Sequence, residues 1–470
     1  MITIMIIVFL LGYTAIALEQ QIKINKSAIA LIMGMTLWVM YVLDGTHIVP
    51  FMDPQTFSDY IKLNPDLAAK TLATQYNSFI TNFQIVEYIG NTAEIIFFLI
   101  AAMTIVELID SHGGFTVITQ YITAKRKKSL LWIIGFFTFF LSAILDNMTT
   151  AIVMIMLIRK LITDKEERWL FTGLIIIAAN AGGAWSPVGD IATILLWVHG
   201  NVTTVNLVKF VFLPSVISLI VPLILISFRL RGETESSQLP DNNYLVSDGN
   251  TGTAIIKSNY SVSILVIGLI GILFVPLFKA LTNLPPAIGI LLSLGMIWLY
   301  TEILNKRSTE KECDKIRVSS IIHNIDTSTI LYLLGILMAV GALEVSGILA
   351  IVSGFLNTHI GNPLNIDMFI GLISSIIDNS SLVAGTIGMY PIQDSAHIHA
   401  AFLADAPFWH FLSYCAGTGG SIMIIGSAAG VVSMGLEKIT FMWYLKNITL
   451  YALFGYLAGA GVFLLLEHLY

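Results

Sequence analysis

The sequence predicts an all-α polytopic membrane protein with inverted-topology repeats, made of about ten spanning helices, two re-entrant hairpins and two broken helices. Three observations predict it. With 56% hydrophobic residues, 11% charged residues and a mean hydropathy of +0.83 over 470 residues, the chain is far from a soluble domain, whose charged share is about a quarter. An aspartate-asparagine pair interrupts a long apolar run twice, as Asp146-Asn147 in LSAILDNMTTAIVMIMLI and as Asp378-Asn379 in SSIIDNSSLVAGTIGM. A mid-span glycine pair followed by a third glycine also occurs twice, in GGAWSPVGD (182–190) and GGSIMIIGS (419–427).

Taken in order, apolar windows of spanning length cover roughly 2–18, 28–44, 88–109, 169–198, 205–228, 260–279, 286–304, 327–346, 408–437 and 446–466. The first lacks a basic leader and is closely followed by another span, so it reads as a retained helix and not a cleaved signal. The stretch from Asp44 to Glu87 is long for a loop, and its apolar periodicity near 67–85 suggests an interfacial helix. Two more apolar segments, 130–162 and 366–391, hold the Asp-Asn pairs and are broken at their centres. Each fits two half-helices that enter and leave on one side.

The basic residues support this. Lys125, Arg126, Lys127 and Lys128 precede the first pair, and Arg159, Lys160, Lys165 and Arg168 follow it, which makes both ends of the hairpin cytoplasmic. Threading the other spans from there puts 20 of the 24 Lys and Arg residues in loops on that side; Lys62, Lys70, Lys209 and Lys279 are the exceptions. The second hairpin then opens to the opposite face, and both termini are external. Opposed hairpins are the sign of inverted repeats. Asp146 and Asp378 are 232 residues apart, the glycine patterns 237, and TAEIIFFLIAAM (92–103) aligns with TSTILYLLGILM at 235. The organisation is therefore a first half, 1–228, with hairpin 130–162 and broken helix 169–198, a cytoplasmic linker, 229–258, and a second half, 259–470, with hairpin 366–391 and broken helix 408–437.

A charge at bilayer depth is costly unless it faces protein or water, so intramembrane aspartates are functional candidates. Asp146, Thr149 and Thr150 share a helix face, as do Asp378 and Ser381; Asn147, Asn379 and Ser380 adjoin them. The broken helices add Asn180, Ser186 and Asp190 from one half and Thr418, Ser421 and Ser427 from the other. Hard cations prefer such oxygen-rich sets, and the C-terminal carbonyls of the half-helices add negative partial charge. No Lys or Arg lies within either tip to pair an anion. Desolvation favours the protonated form of a carboxyl group, so a proton and a small cation would compete for the same oxygens. Bland roles weigh on the outliers: the hydroxyls of the second broken helix pack helices as readily as they bind ions. Glu94 and Glu344 fit interface snorkelling as well as a proton relay. Glu107 and Asp110 fit solvation at a cytoplasmic boundary, and His397 and His399 a solvated loop. Cys313 and Cys415 form no disulfide or metal spacing. No nucleotide-binding or nucleophile motif occurs, so neither an enzyme, a cofactor nor a nucleic-acid partner is expected.

LDNMTTA, NAGGAWSPVGDIATILLW, IDNSS and GTGGSIMIIGSAAG resemble the NhaD-type sodium/proton antiporters of the ion transporter superfamily over nearly the whole chain. The resemblance implies exchange of sodium or lithium for protons across a bacterial inner membrane, a homodimer, and ion contacts from Asp146, Asn147, Thr149, Asn180, Asp190, Asp378 and Asn379, with the ion at Asp146 and Asp378. Sodium-coupled dicarboxylate carriers of the same superfamily are the alternative; they place Ser-Asn-Thr where this chain has Asp-Asn. An intramembrane aspartic protease is a remote third reading, since it would need its two aspartates on unbroken helices.

Overall fold

The computed structural model describes all residues except 18, 53, 115–125, 231–259, 308–320, 323–324, 393–399 and 470. Lys125, Cys313, His397, His399 and nearly all of the expected linker lie outside the described residues. Every described element longer than a turn is helical, and the helices of seven residues or more are α1 (Ile2–Ala17), α2 (Lys26–Met52), α3 (Pro54–Leu63), α4 (Leu72–Phe79), α5 (Ile85–Ser111), α6 (Lys127–Ser142), α7 (Asn147–Leu161), α8 (Lys165–Ala184), α9 (Ile191–Val198) and α10 (Thr204–Arg229). They continue with α11 (Ser261–Thr282), α12 (Pro286–Arg307), α13 (Thr327–Val345), α14 (Ile348–His359), α15 (Pro363–Ile373), α16 (Asn379–Met389), α17 (Pro407–Gly419), α18 (Ala428–Glu437), α19 (Phe441–Asn447) and α20 (Thr449–Leu469). Among the described residues, seven helical runs are long and apolar enough to cross a membrane. With α1 and the interrupted pairs α8/α9 and α17/α18 they account for the expected spans, and the protein is an all-α polytopic membrane protein. The stretch before α5 is more regular than a loop: α4 runs through a π-helical turn, Ile80–Gln84, straight into α5.

The chain forms two compact units, each drawing on both halves of the sequence. The first comprises Met1–Phe97, Asp326–Ile366 and Ala384–Ile392. Its spine is the crossing of α2 and α13, where Gly34 and Gly335 let the backbones touch: a methyl on Gly335 would lie 2.4 Å from the carbonyl carbon of Ala30. Around that contact the Trp38 indole donates to Met338 O at 2.8 Å and the Ser27 hydroxyl to Ser328 O at 2.6 Å.

The second unit comprises Phe98–Ile325, Asp367–Val383 and Gln393–Tyr470. Here α6 and α7 pack on α8, and α7 also packs on α18. A buried ion pair fixes the ends of these helices. Glu437, whose side chain is 1% exposed, accepts from Arg159 Nε at 2.6 Å and Arg168 Nε at 2.7 Å, while the Trp169 indole donates to its carbonyl at 3.0 Å. Losing one member of a buried pair leaves its partners uncompensated. Both arginines are partly hydrated, so Glu437→Ala should lower stability by about 2–3 kcal/mol, below the range for a fully buried pair. Tryptophan-fluorescence melting measures this, and an unchanged midpoint would show that the clamp is idle.

Candidate functional site

Four helix breaks meet in the second unit. Asp146 caps α7, its carboxylate accepting from Thr149 N at 2.8 Å and the Thr149 hydroxyl at 2.6 Å. Asp378 precedes α16 and accepts from the Ser381 hydroxyl at 3.4 Å. Asp190 caps α9, receiving Ala192 N at 3.4 Å, and Ser427 caps α18, receiving Gly430 N at 3.3 Å. A short acceptor at each N-cap satisfies one of the amides a helix start leaves free.

The tips and breaks are held together by buried amides. Asn147 Nδ2 donates to Asn180 Oδ1 at 3.0 Å and to Asp190 Oδ2 at 3.2 Å. Asn379 Nδ2, from the other hairpin, donates to the same Asp190 oxygen at 2.6 Å. Asn180 Nδ2 reaches the hydroxyls of Ser421 (3.0 Å) and Ser427 (2.9 Å), and Ser380 Oγ donates to Asn379 Oδ1 at 3.3 Å. Asp190 is 2% exposed, and Asp146 and Asp378 lie within electrostatic reach of it. Asp190 is thus the acceptor that both hairpins share. Neither hairpin tip, around Asp146-Asn147 or Asp378-Asn379, contains a Lys or Arg.

The contacts beneath the centre recur at the offsets seen in the sequence. Ser142 Oγ donates to Ala179 O at 2.7 Å, and Ser374 Oγ to Ala416 O at 2.7 Å. Gly182 lies against the carbonyl of Phe139, and Gly419 against that of Gly371.

The profile of the citrate transporter family matches residues 1–409. The chain is 40% identical to sodium/proton antiporter 1 of Arabidopsis thaliana, covering 99% of this chain and 73% of that one, and 38% identical to sodium/proton antiporter 2 of the same plant, covering 98% of both. It is 29% identical to the Na(+)/H(+) antiporter NhaD of Vibrio cholerae, over 98% of this chain and 91% of that one. The chain belongs to the NhaD-type antiporter family. Its relatives are named as transporters and not as enzymes.

Within this NhaD-type chain the candidate residues separate clearly. Asn147, Asn180, Asp190, Asn379, Ser380, Ser421 and Ser427 form the connected centre. Asp146 with Thr149, and Asp378 with Ser381, form two local pairs at its edges. The Thr150 hydroxyl is buried with no hydrogen-bond partner among the described residues. Ser186 donates to Ala143 O at 2.5 Å, tying one break to the first hairpin's turn, and Thr418 donates to Tyr414 O at 2.6 Å within its own helix. Both hydroxyls thus give their proton to a backbone carbonyl. Glu94 and Glu344 belong to the first unit, where Glu344 lies beside Tyr88 and Gly388. Sequence reasoning missed Glu437, because its arginine partners are more than 260 residues away and the residue falls at the predicted end of a span.

Proposed function

We propose that the protein is a secondary active transporter that exchanges sodium or lithium for protons, the cation and the proton competing for Asp146, Asp378 and Asp190. The single observation behind this reading is the shared Asp190 oxygen, on which the amides of both hairpin tips converge in a centre without Lys or Arg. The named activity of the plant and Vibrio relatives supports it. A cation arriving at the carboxylate oxygens displaces a proton, and the amide carbonyls, hydroxyls and helix-end carbonyls supply further hard ligands. Ion and proton are both cargo, and no cofactor enters the scheme. The inverted-repeat organisation, with two halves around the linker, would let one hairpin open toward each face, and a homodimer in a proton-energised membrane completes the proposal. The bacterial inner membrane fits the Vibrio relative; the Arabidopsis relatives widen the choice to any such membrane.

The citrate description of the family profile makes anion transport the second reading. Helix N-termini are natural anion sites. Here, however, the starts of α7 and α9 are capped by aspartates and that of α16 follows one, so built-in carboxylates occupy the places an anionic substrate would take.

The test uses inverted vesicles with an acid interior, to which sodium, lithium, potassium or citrate is added. Sodium and lithium should dissipate the gradient, and Asp146→Asn or Asp378→Asn should each remove that signal. Sodium-dependent citrate uptake that survives both substitutions would overturn the reading.

A further inference from the structure

Asp367 is the one acidic residue of α15 (PLNIDMFIGLI), and it is fully buried. Neither carboxylate oxygen has a hydrogen-bond partner among the described residues. Its surroundings explain why. Gly371, one turn on and so on the same face, abuts α17 and α20: a methyl added to it would lie 2.4 Å from the Tyr456 hydroxyl and 2.7 Å from Cys415 O. The Tyr456 hydroxyl donates to the carbonyl of Met368 at 2.9 Å and so is not offered to the acid. Cys415 of α17 and Tyr456 of α20 are the titratable groups within electrostatic reach of Asp367, and among the described residues no charged side chain of either sign faces it.

Packing does not require an acid in this place. At the offset of 232 that relates Asp146 to Asp378, Asp367 matches Gly135 of α6, and at 237 Cys415 matches Ala178. Gly135 abuts Leu174 and Leu223. The first hairpin packs hydrocarbon where the second holds a carboxyl group. An unpaired buried carboxylate is far less stable than its neutral form, so something must neutralise it. Sodium would need several more oxygens than the carboxylate and Tyr456 offer, and a thiol is too soft a ligand for it. A proton needs none of these.

We propose that Asp367 is a second proton-binding site, two turns before the break in the second hairpin, which holds its proton in this state and releases it during exchange. This rests on the exchange reading above. On release the O–H bond breaks, the proton passes to water, and the carboxylate is left in a state that water can reach.

Infrared difference spectra of the full-length protein in lipid, with and without sodium, test it. Sodium should remove one carboxylic-acid component more from the wild-type spectrum than from that of Asp367→Asn, and the variant should release one proton fewer per chain into a lightly buffered indicator solution. Asp367→Gly, which copies Gly135, replaces the asparagine variant if that one does not fold. Wild-type and variant spectra that match throughout would overturn the proposal, as would loss of sodium binding in the variant together with all sodium-driven proton release, which would make Asp367 a cation ligand. The two readings fail separately. If sodium moves no protons in vesicles the exchange reading falls, while a pH titration of the acid band without sodium still reports whether Asp367 binds a proton.

Discussion

Gly182→Ala and Gly419→Ala should each prevent assembly of the buried centre, with little or no monodisperse protein recovered in detergent. At Gly182 the new methyl would lie 2.2 Å from the carbonyl oxygen of Phe139, and at Gly419 it would lie 2.0 Å from that of Gly371. Both obstacles are backbone, so no rotamer change relieves them. Overpacking that side chains absorb costs about 1–3 kcal/mol, and a helix forced off its neighbour costs more. The loss reaches the site because the same close approach sets the Ser142 and Ser374 hydroxyls on the carbonyls of Ala179 and Ala416. Asn180, one residue beyond Ala179, is what Asn147 must reach. Gly435→Ala is the control: a methyl there meets nothing within 4 Å, and alanine is the better helix former by about 0.5–1 kcal/mol. Recovery by fluorescence size-exclusion and a melting curve distinguish the outcomes. A well-folded Gly182→Ala protein of wild-type stability would refute the argument from close packing.

That pairing of glycine with carbonyl was half legible in the sequence. The duplicated glycines marked the breaks, because a glycine pair inside an apolar span has few other uses, and the Asp-Asn pairs marked the tips. Residue spacing along one segment reports which side chains share a face. It does not report which segment ends meet. Asp146 and Asp378 therefore stood out in the sequence, being isolated charges in apolar runs, while Asp190 was one polar residue among several in the broken helices. In the structure Asp190 is the acceptor common to both hairpins. The asparagines were legible as neighbours of charge and not as the bridges they form. Asp367 carried a weaker signal than Asp146, a lone carboxyl at the edge of an apolar hairpin and not at its centre, and was overshadowed by the duplicated pair. Glu437 had no such signal, since its partners Arg159 and Arg168 lie on elements distant in the chain.

Asp190 is where the fold and the proposed exchange meet, and two substitutions should separate them. Asp190→Ala removes the oxygen that accepts from both Asn147 and Asn379, leaving an amide hydrogen on each buried without a partner. Each orphaned donor costs about 1–3 kcal/mol, and the cap of α9 goes with it. The variant should melt well below wild type and show no sodium-driven proton movement. Asp190→Asn keeps one oxygen that can still receive the two amides and keeps the shape of the cap. Its new donor nitrogen faces Ala192 N in place of an acceptor, a smaller penalty than an empty site. Stability should therefore return most of the way to wild type, while exchange stays absent because the charge that the proposed competition needs is gone. Vesicle flux and thermal melting on the same preparations measure the two effects together. If Asp190→Asn exchanged sodium for protons at the wild-type rate, the shared oxygen would be a structural joint only, and ion binding would fall to Asp146 and Asp378 alone.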